Sequence, residues 1–192
     1  MIYSTFLAFG DSLTYGSRDE NNLSYPIYLS NLIKEKYNQR LLFENAGIPG
    51  ETTSDAIKRA YNLIRSSSCH EVLFLEGTND AKDNIKTPVN IYKSNLEYII
   101  DTCNIFNKKL YLATIPDLKG FGAPDYTAKS KTKINEYNKV IIDISKDKKI
   151  AIVDLRNLNI NLYSDGVHLN SSGYKEVAIR VLRVIEKERL YN

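Results

Sequence analysis

Glu71-Val72-Leu73-Phe74-Leu75-Glu76-Gly77-Thr78-Asn79-Asp80 is the stretch on which the fold turns. Residues 72–75 are apolar without a break, so a strand formed here must be covered on both faces. A second run of the same kind follows at Leu110-Tyr111-Leu112-Ala113. Working outward, β-rich runs predict strands over 5–9, 41–44, 71–75, 110–114 and 150–154. Between and after them, helical spacing predicts helices over 25–36, 54–65, 88–105, 128–145 and 171–188. Start signals support three of these: Thr52 with Asp55 three residues on, Thr87 ahead of Pro88 at a first helical position, and Asn170 ahead of Ser171. Strand and helix alternate five times, which predicts right-handed crossovers and a five-stranded parallel sheet in a three-layer α/β domain.

The composition sets the outer limits. A chain of 192 residues with 43% hydrophobic content fits one domain over 1–192. A net charge of +3, with Lys and Arg scattered along the chain, gives no basic face for nucleic acid. Met1-Ile2-Tyr3-Ser4 leads into an apolar segment too short to span a bilayer, with no basic lead, so no export signal or stable membrane anchor is expected. Cys69 and Cys103 are the only cysteines and form no CxxC pair, so a cytoplasmic, reducing setting is expected. Two histidines and two cysteines without ligand spacing make a poor metal site, and neither a GxGxxG nor a GxxxxGK[ST] loop occurs. No metal and no cofactor are expected.

In an open parallel sheet, ligands bind beyond the carboxyl ends of the strands. Four glycine-containing clusters fall there: Gly10-Asp11-Ser12-Leu13, Gly47-Ile48-Pro49-Gly50, Gly77-Thr78-Asn79-Asp80 and Asp165-Gly166-Val167-His168. Ester cleavage by serine needs a base, a group fixing that base, and donors for the developing oxyanion. Ser12 is the candidate nucleophile and His168 its base. Asp165, three positions before His168, falls on the same side of one helix-like turn and is the candidate orienting group. The N–H groups of Ser12 and Gly50 and the side-chain amide of Asn79 are the candidate oxyanion donors. His70 precedes the third strand, at the opposite end, and is expected to be a solvated loop residue. Asp11 is expected to shape its loop, and most of the 14 tyrosines to pack in the core or on helix surfaces.

These four blocks resemble the GDSL, or SGNH, hydrolases, and they bracket nearly the whole chain. The resemblance implies that Ser12, Gly50, Asn79 and His168 are the four residues naming that family, with Asp165 completing a triad. It further implies a flavodoxin-like α/β/α sandwich, no metal requirement, and hydrolysis of esters or thioesters, carbohydrate acetyl groups included. Glu51 stands where Asp is also frequent, and Leu169 where Pro is also frequent. The expected activity is a serine esterase acting on small or short-acyl esters through an acyl-enzyme. Alternatives are an acyltransferase of the same fold and a non-catalytic ligand-binding domain. Segments 17–24 and 117–127 are expected to shape substrate choice, with Phe121 or Tyr126 lining a pocket.

Overall fold

The computed structural model describes residues 2–120 and 125–190. Five strands, β1 (Ile2–Gly10), β2 (Arg40–Gly47), β3 (Glu71–Leu75), β4 (Lys109–Ala113) and β5 (Ala151–Val153), form one all-parallel sheet in the order β2-β1-β3-β4-β5. The helices are α1 (Ser12–Tyr15), α2 (Tyr25–Tyr37), α3 (Thr53–Ser66), α4 (Val89–Ile105), α5 (Ala128–Lys148) and α6 (Ser171–Leu190). The parallel sheet and the flavodoxin-like strand order are those expected.

Alternate residues of the central strands feed two cores. Leu7, Phe9, Val72, Phe74 and Leu112 pack with α3, α4 and α5, and Phe6, Ala8, Leu73, Leu75 and Tyr111 pack with α2 and α6. Every residue of β3 is buried, which is why its sequence shows no polar alternation. Tyr25, Tyr92, Tyr111, Tyr137 and Tyr174 are among the largest fully buried side chains, and Tyr92 stacks on Tyr137 with centroids 4.2 Å apart. Fully buried apolar side chains such as Phe6, Phe9 and Leu7 each contribute roughly 1.5–3 kcal/mol by leaving water.

Several boundaries differ from the sequence expectation, each for a local reason. Edge strand β2 runs past Glu44 to Gly47, because the Asn45 side chain donates to Thr14 O (2.9 Å) and accepts from Gly47 N–H (3.0 Å). β5 is only three residues long: Asp154 turns away, accepting from Arg156 and from the Thr114 hydroxyl. Pro88 lies one residue outside its expected place. It is the N-cap of α4, the helix begins at Val89, and no side chain caps it. The other two caps form, with a reciprocal Thr52–Asp55 box on α3 and Asn170 Oδ1 accepting from Gly173 N–H (3.0 Å) on α6.

The chain steps from β1 to β2 on one side and then to β3 on the other, so the strand order reverses between β1 and β3. Register levels the three carboxyl ends there: Gly10 pairs with Gly47 on one side and Leu75 on the other. A Cβ on Gly10 would stand 2.0 Å from Leu75 O, so only glycine lets the strands close up while α1 folds over them. The segments leaving these strands therefore emerge side by side.

Candidate active site

Ser12 is the first residue of α1, a single turn capped by Asp11, whose carboxylate accepts Leu13 N–H at 2.8 Å. At that position no preceding turn offers an acceptor to the Ser12 N–H. Its Oγ lies 3.1 Å from His168 Nε2, and His168 Nδ1 lies 2.8 Å from Asp165 Oδ2. The other oxygen, Asp165 Oδ1, accepts the backbone N–H groups of His168 (2.7 Å) and Val167 (3.0 Å). One carboxylate thus fixes both the loop and the ring. Burial alone would raise the Asp165 carboxyl; the hydrogen bonds from His168 and Val167 outweigh it and hold it below its ordinary value. Arg18 Nε, on an exposed side chain, is 3.8 Å from Asp165 Oδ2.

Gly50 and Asn79 line the same cleft as Ser12 and His168. Gly50 has φ +85°, and nothing lies within 4 Å of where its Cβ would be. A φ in this left-handed region calls for glycine by backbone conformation alone. Asn79, in a 3₁₀ turn at Asn79–Ala81, gives one amide N–H to Glu51 O at 2.8 Å. The second makes only a long 3.4 Å contact with Asp11 Oδ2, which leaves it available to a ligand. Glu51 is itself held by Arg59 Nε at 2.7 Å, and that guanidinium also meets Ala46 O and the Phe9 ring.

Behind the cleft lie three buried carboxyl groups. Burial pushes Asp11 up to about 7 against the pull of the Leu13 N–H. Glu76 is raised well above its ordinary value, by burial first and then by the charges of Asp11, Asp80 and Glu51. Neither of its oxygens makes a hydrogen bond of normal geometry among the described residues, and Gly77 N–H opposes burial only weakly. Asp80 is also raised by burial, although it accepts both the N–H (2.9 Å) and the hydroxyl (2.6 Å) of Thr53. A carboxyl raised on folding binds its proton more tightly in the folded state. Its stabilisation is complete below the ordinary carboxylate range and is lost as pH rises, through about 7 for Asp11. Asp154, lowered to about 2, acts in the opposite sense, but only at pH below its ordinary value. The melting midpoint is therefore expected to be lower at pH 8 than at pH 5 by about 5 °C or more. Glu76→Gln should make that fall smaller. A wild-type midpoint that climbs between pH 5 and pH 8 would refute this account.

The cleft has a volume of about 630 Å³ and adds Tyr15, Arg18, Lys82 and Tyr126 to the residues named above. All five sequence candidates thus meet in one place, although Ser12 and His168 are 156 positions apart. A larger hollow of about 720 Å³ lies at the amino end of the sheet, lined by residues including Thr5, His70, Lys108 and Lys109. Its His70 is exposed and tied through Nδ1 to the Thr5 hydroxyl at 2.7 Å. Phe121 lies outside the described residues. The Glu51–Arg59 pair, eight positions apart, and the Tyr126–Asn79 contact, 47 apart, were not foreseen, because neither carries a spacing signal. Among the described residues, no group of three or more His, Cys, Asp and Glu side chains is placed to hold a metal, and no helix is long and apolar enough to cross a membrane.

Residues 8–176 match the sequence model of the GDSL-like Lipase/Acylhydrolase family. The uncharacterized lipoprotein YqeF of Bacillus subtilis (strain 168) is 29% identical over 171 residues, covering 79% of this chain and 70% of that protein. A multidomain esterase of Ruminococcus flavefaciens is 26% identical over an alignment covering 92% of this chain; that alignment spans only 28% of the esterase's length. In structure, the chain resembles a lipase/acylhydrolase from Enterococcus faecalis, with a TM-score of 0.82, 24% identity and 96% coverage of both chains. It also resembles a variant of an acetyl xylan esterase from Geobacillus stearothermophilus, with a TM-score of 0.80, 21% identity, and coverage of 96% of this chain and 95% of that one.

Proposed function

Because the chain belongs to the GDSL-like lipase/acylhydrolase family, we propose that it is a serine esterase in which Ser12 attacks, His168 carries the proton and Asp165 orients the ring. The carrying observation is the unbroken line from Asp165 Oδ2 to His168 Nδ1 (2.8 Å) and from His168 Nε2 to Ser12 Oγ (3.1 Å). With Asp165 accepting at Nδ1, the proton of neutral His168 sits on Nδ1 and Nε2 is free to accept. Ser12 Oγ adds to the acyl carbonyl while its proton passes to Nε2. The carbonyl oxygen becomes an oxyanion facing the N–H groups of Ser12 and Gly50 and the second amide N–H of Asn79. The tetrahedral species collapses, the alkoxide leaves with the proton from Nε2, and an acyl group remains on Ser12. Water, deprotonated by His168, then releases the acid and restores Ser12.

The preferred substrates in this reading are small or short-acyl esters, carbohydrate acetyl esters among them. Supporting this is a shallow, open cleft, together with the fold shared with an acetyl xylan esterase. The test is covalent capture. A fluorophosphonate should add one phosphonyl group per chain, on the peptide that carries Ser12, and p-nitrophenyl acetate turnover should fall in step with labelling. Full turnover by fully labelled protein, or a label on any other residue, would remove Ser12 from the mechanism.

A further inference from the structure

Resting on the esterase reading above, we propose that Tyr126 is a positioning residue that locks the Asn79 carboxamide in the orientation needed to receive the oxyanion. Tyr126 stands just before α5, on the wall of the cleft, and is 6% exposed. Its hydroxyl faces Asn79 Oδ1 at 3.3 Å, a long contact for O–H···O of the kind that tightens when substrate fills a site, across 47 positions of sequence. Burial raises the phenol well above its ordinary value, so the hydroxyl keeps its proton and acts as a donor throughout the working range. Lys82 Nζ lies 5.9 Å from the ring centroid, on the same wall.

The need for such a lock follows from the amide itself. The terminal torsion of an asparagine side chain has a broad, nearly two-fold profile, so the backbone does not set the plane of the amide. On the nitrogen side, Asn79 has one good partner, Glu51 O at 2.8 Å. A single hydrogen bond is a pivot. It leaves the plane free to swing and the second N–H free to wander towards Asp11 Oδ2, at 3.4 Å. The Tyr126 hydroxyl supplies a second restraint on the oxygen side, which closes as the oxyanion draws the amide forward. With both ends held, the second N–H has one direction. Donation into Oδ1 also polarises the amide and makes its N–H groups better donors. Asp80, the next residue, is anchored separately by Thr53, so the turn beneath the amide stays in place without Tyr126.

A residue that merely lines the cleft would affect substrate binding, and would do so whether or not Asn79 were present. A positioning residue acts through Asn79 and loses its effect when the amide is gone. The experiment is a double-mutant cycle on p-nitrophenyl acetate hydrolysis using wild type, Tyr126→Phe, Asn79→Ala and the double variant, each checked for folding by circular dichroism. Tyr126→Phe keeps the ring and its packing. It is expected to lower kcat about tenfold with KM within about twofold of wild type. Asn79→Ala should lower kcat about a hundredfold or more. The double variant should fall within about twofold of Asn79→Ala, because the two changes remove one interaction. Affinity for phenylboronic acid, which forms a tetrahedral adduct with a reactive serine, should weaken in Tyr126→Phe in proportion to kcat.

The proposal is overturned by a Tyr126→Phe enzyme with wild-type kcat, by a loss confined to KM, by the same fold-loss with and without Asn79, or by unchanged boronate affinity. Failure of the underlying reading looks different. Ser12→Ala with full turnover would bring down the esterase mechanism itself, whereas an inactive Ser12→Ala beside a fully active Tyr126→Phe would bring down Tyr126 alone.

Discussion

Ser12→Ala is expected to lower ester turnover by about 10⁴-fold or more, the scale on which a Ser-His-Asp triad fails when its nucleophile is removed. Alanine at this position deletes one oxygen and little else. Ser12 is 6% exposed, the turn that carries it is capped by Asp11, and its carbonyl still accepts from Gly16 N–H (3.1 Å) and Ser17 N–H (3.0 Å). None of those bonds uses Oγ, so folding should be preserved. The assay is p-nitrophenol release from acetate, butyrate and octanoate esters, with both proteins matched by circular dichroism. An open cleft predicts that acetate and butyrate outrun octanoate in the wild type. Equal rates in both proteins would mean that cleavage does not depend on Ser12.

The second large effect belongs to Asp165→Asn, expected to lower kcat about 10³- to 10⁴-fold near neutral pH while leaving the fold intact. The reason lies in how the carboxylate divides its work. Oδ1 is held by two backbone N–H groups, of His168 and Val167, and an asparagine oxygen can accept both. That choice turns the amide nitrogen towards His168 Nδ1, where Asp165 Oδ2 now stands. A donor facing Nδ1 forces the ring proton onto Nε2, so the ring presents N–H to Ser12 and can no longer accept its proton. The loop survives and the base is lost. Asp165→Ala should add a fall in melting temperature, because the loop bonds go too. An Asp165→Asn enzyme within tenfold of wild type would show that the ring is oriented by something else.

Much of this architecture could be read in advance because it rests on local pattern. The unbroken apolar run at 72–75 required cover on both faces, and the two cores supply it through Val72 and Phe74 on one side and Leu73 and Leu75 on the other. The polar clusters after β1, β2 and β3 and before α6 were legible as a site because parallel strands deliver their carboxyl ends to one edge. What escaped were features set by partners distant in sequence. The extension of β2 to Gly47 depends on Asn45 reaching Thr14, and the shortness of β5 on Asp154 turning to Arg156 and Thr114. Glu76 reads as an ordinary polar residue at a strand end, yet it is 1% exposed, since β3 lies at the centre of the sheet and the segment after it stays inside. Tyr126 was expected as pocket lining; its bond to Asn79 links segments that no spacing rule connects.

In the proposed mechanism, the wide separation of Ser12 from His168 decides when activity can appear. A chain is made from its amino end, so Ser12 leaves the ribosome 156 positions ahead of His168. Until Asp165 and His168 emerge, Ser12 of the nascent protein lacks the partner that would take its proton, and it stays inert towards cellular esters. Translation stalled short of this segment yields a silent fragment rather than a partly active enzyme. Hydrolysis by the proposed triad thereby reports that synthesis has passed His168.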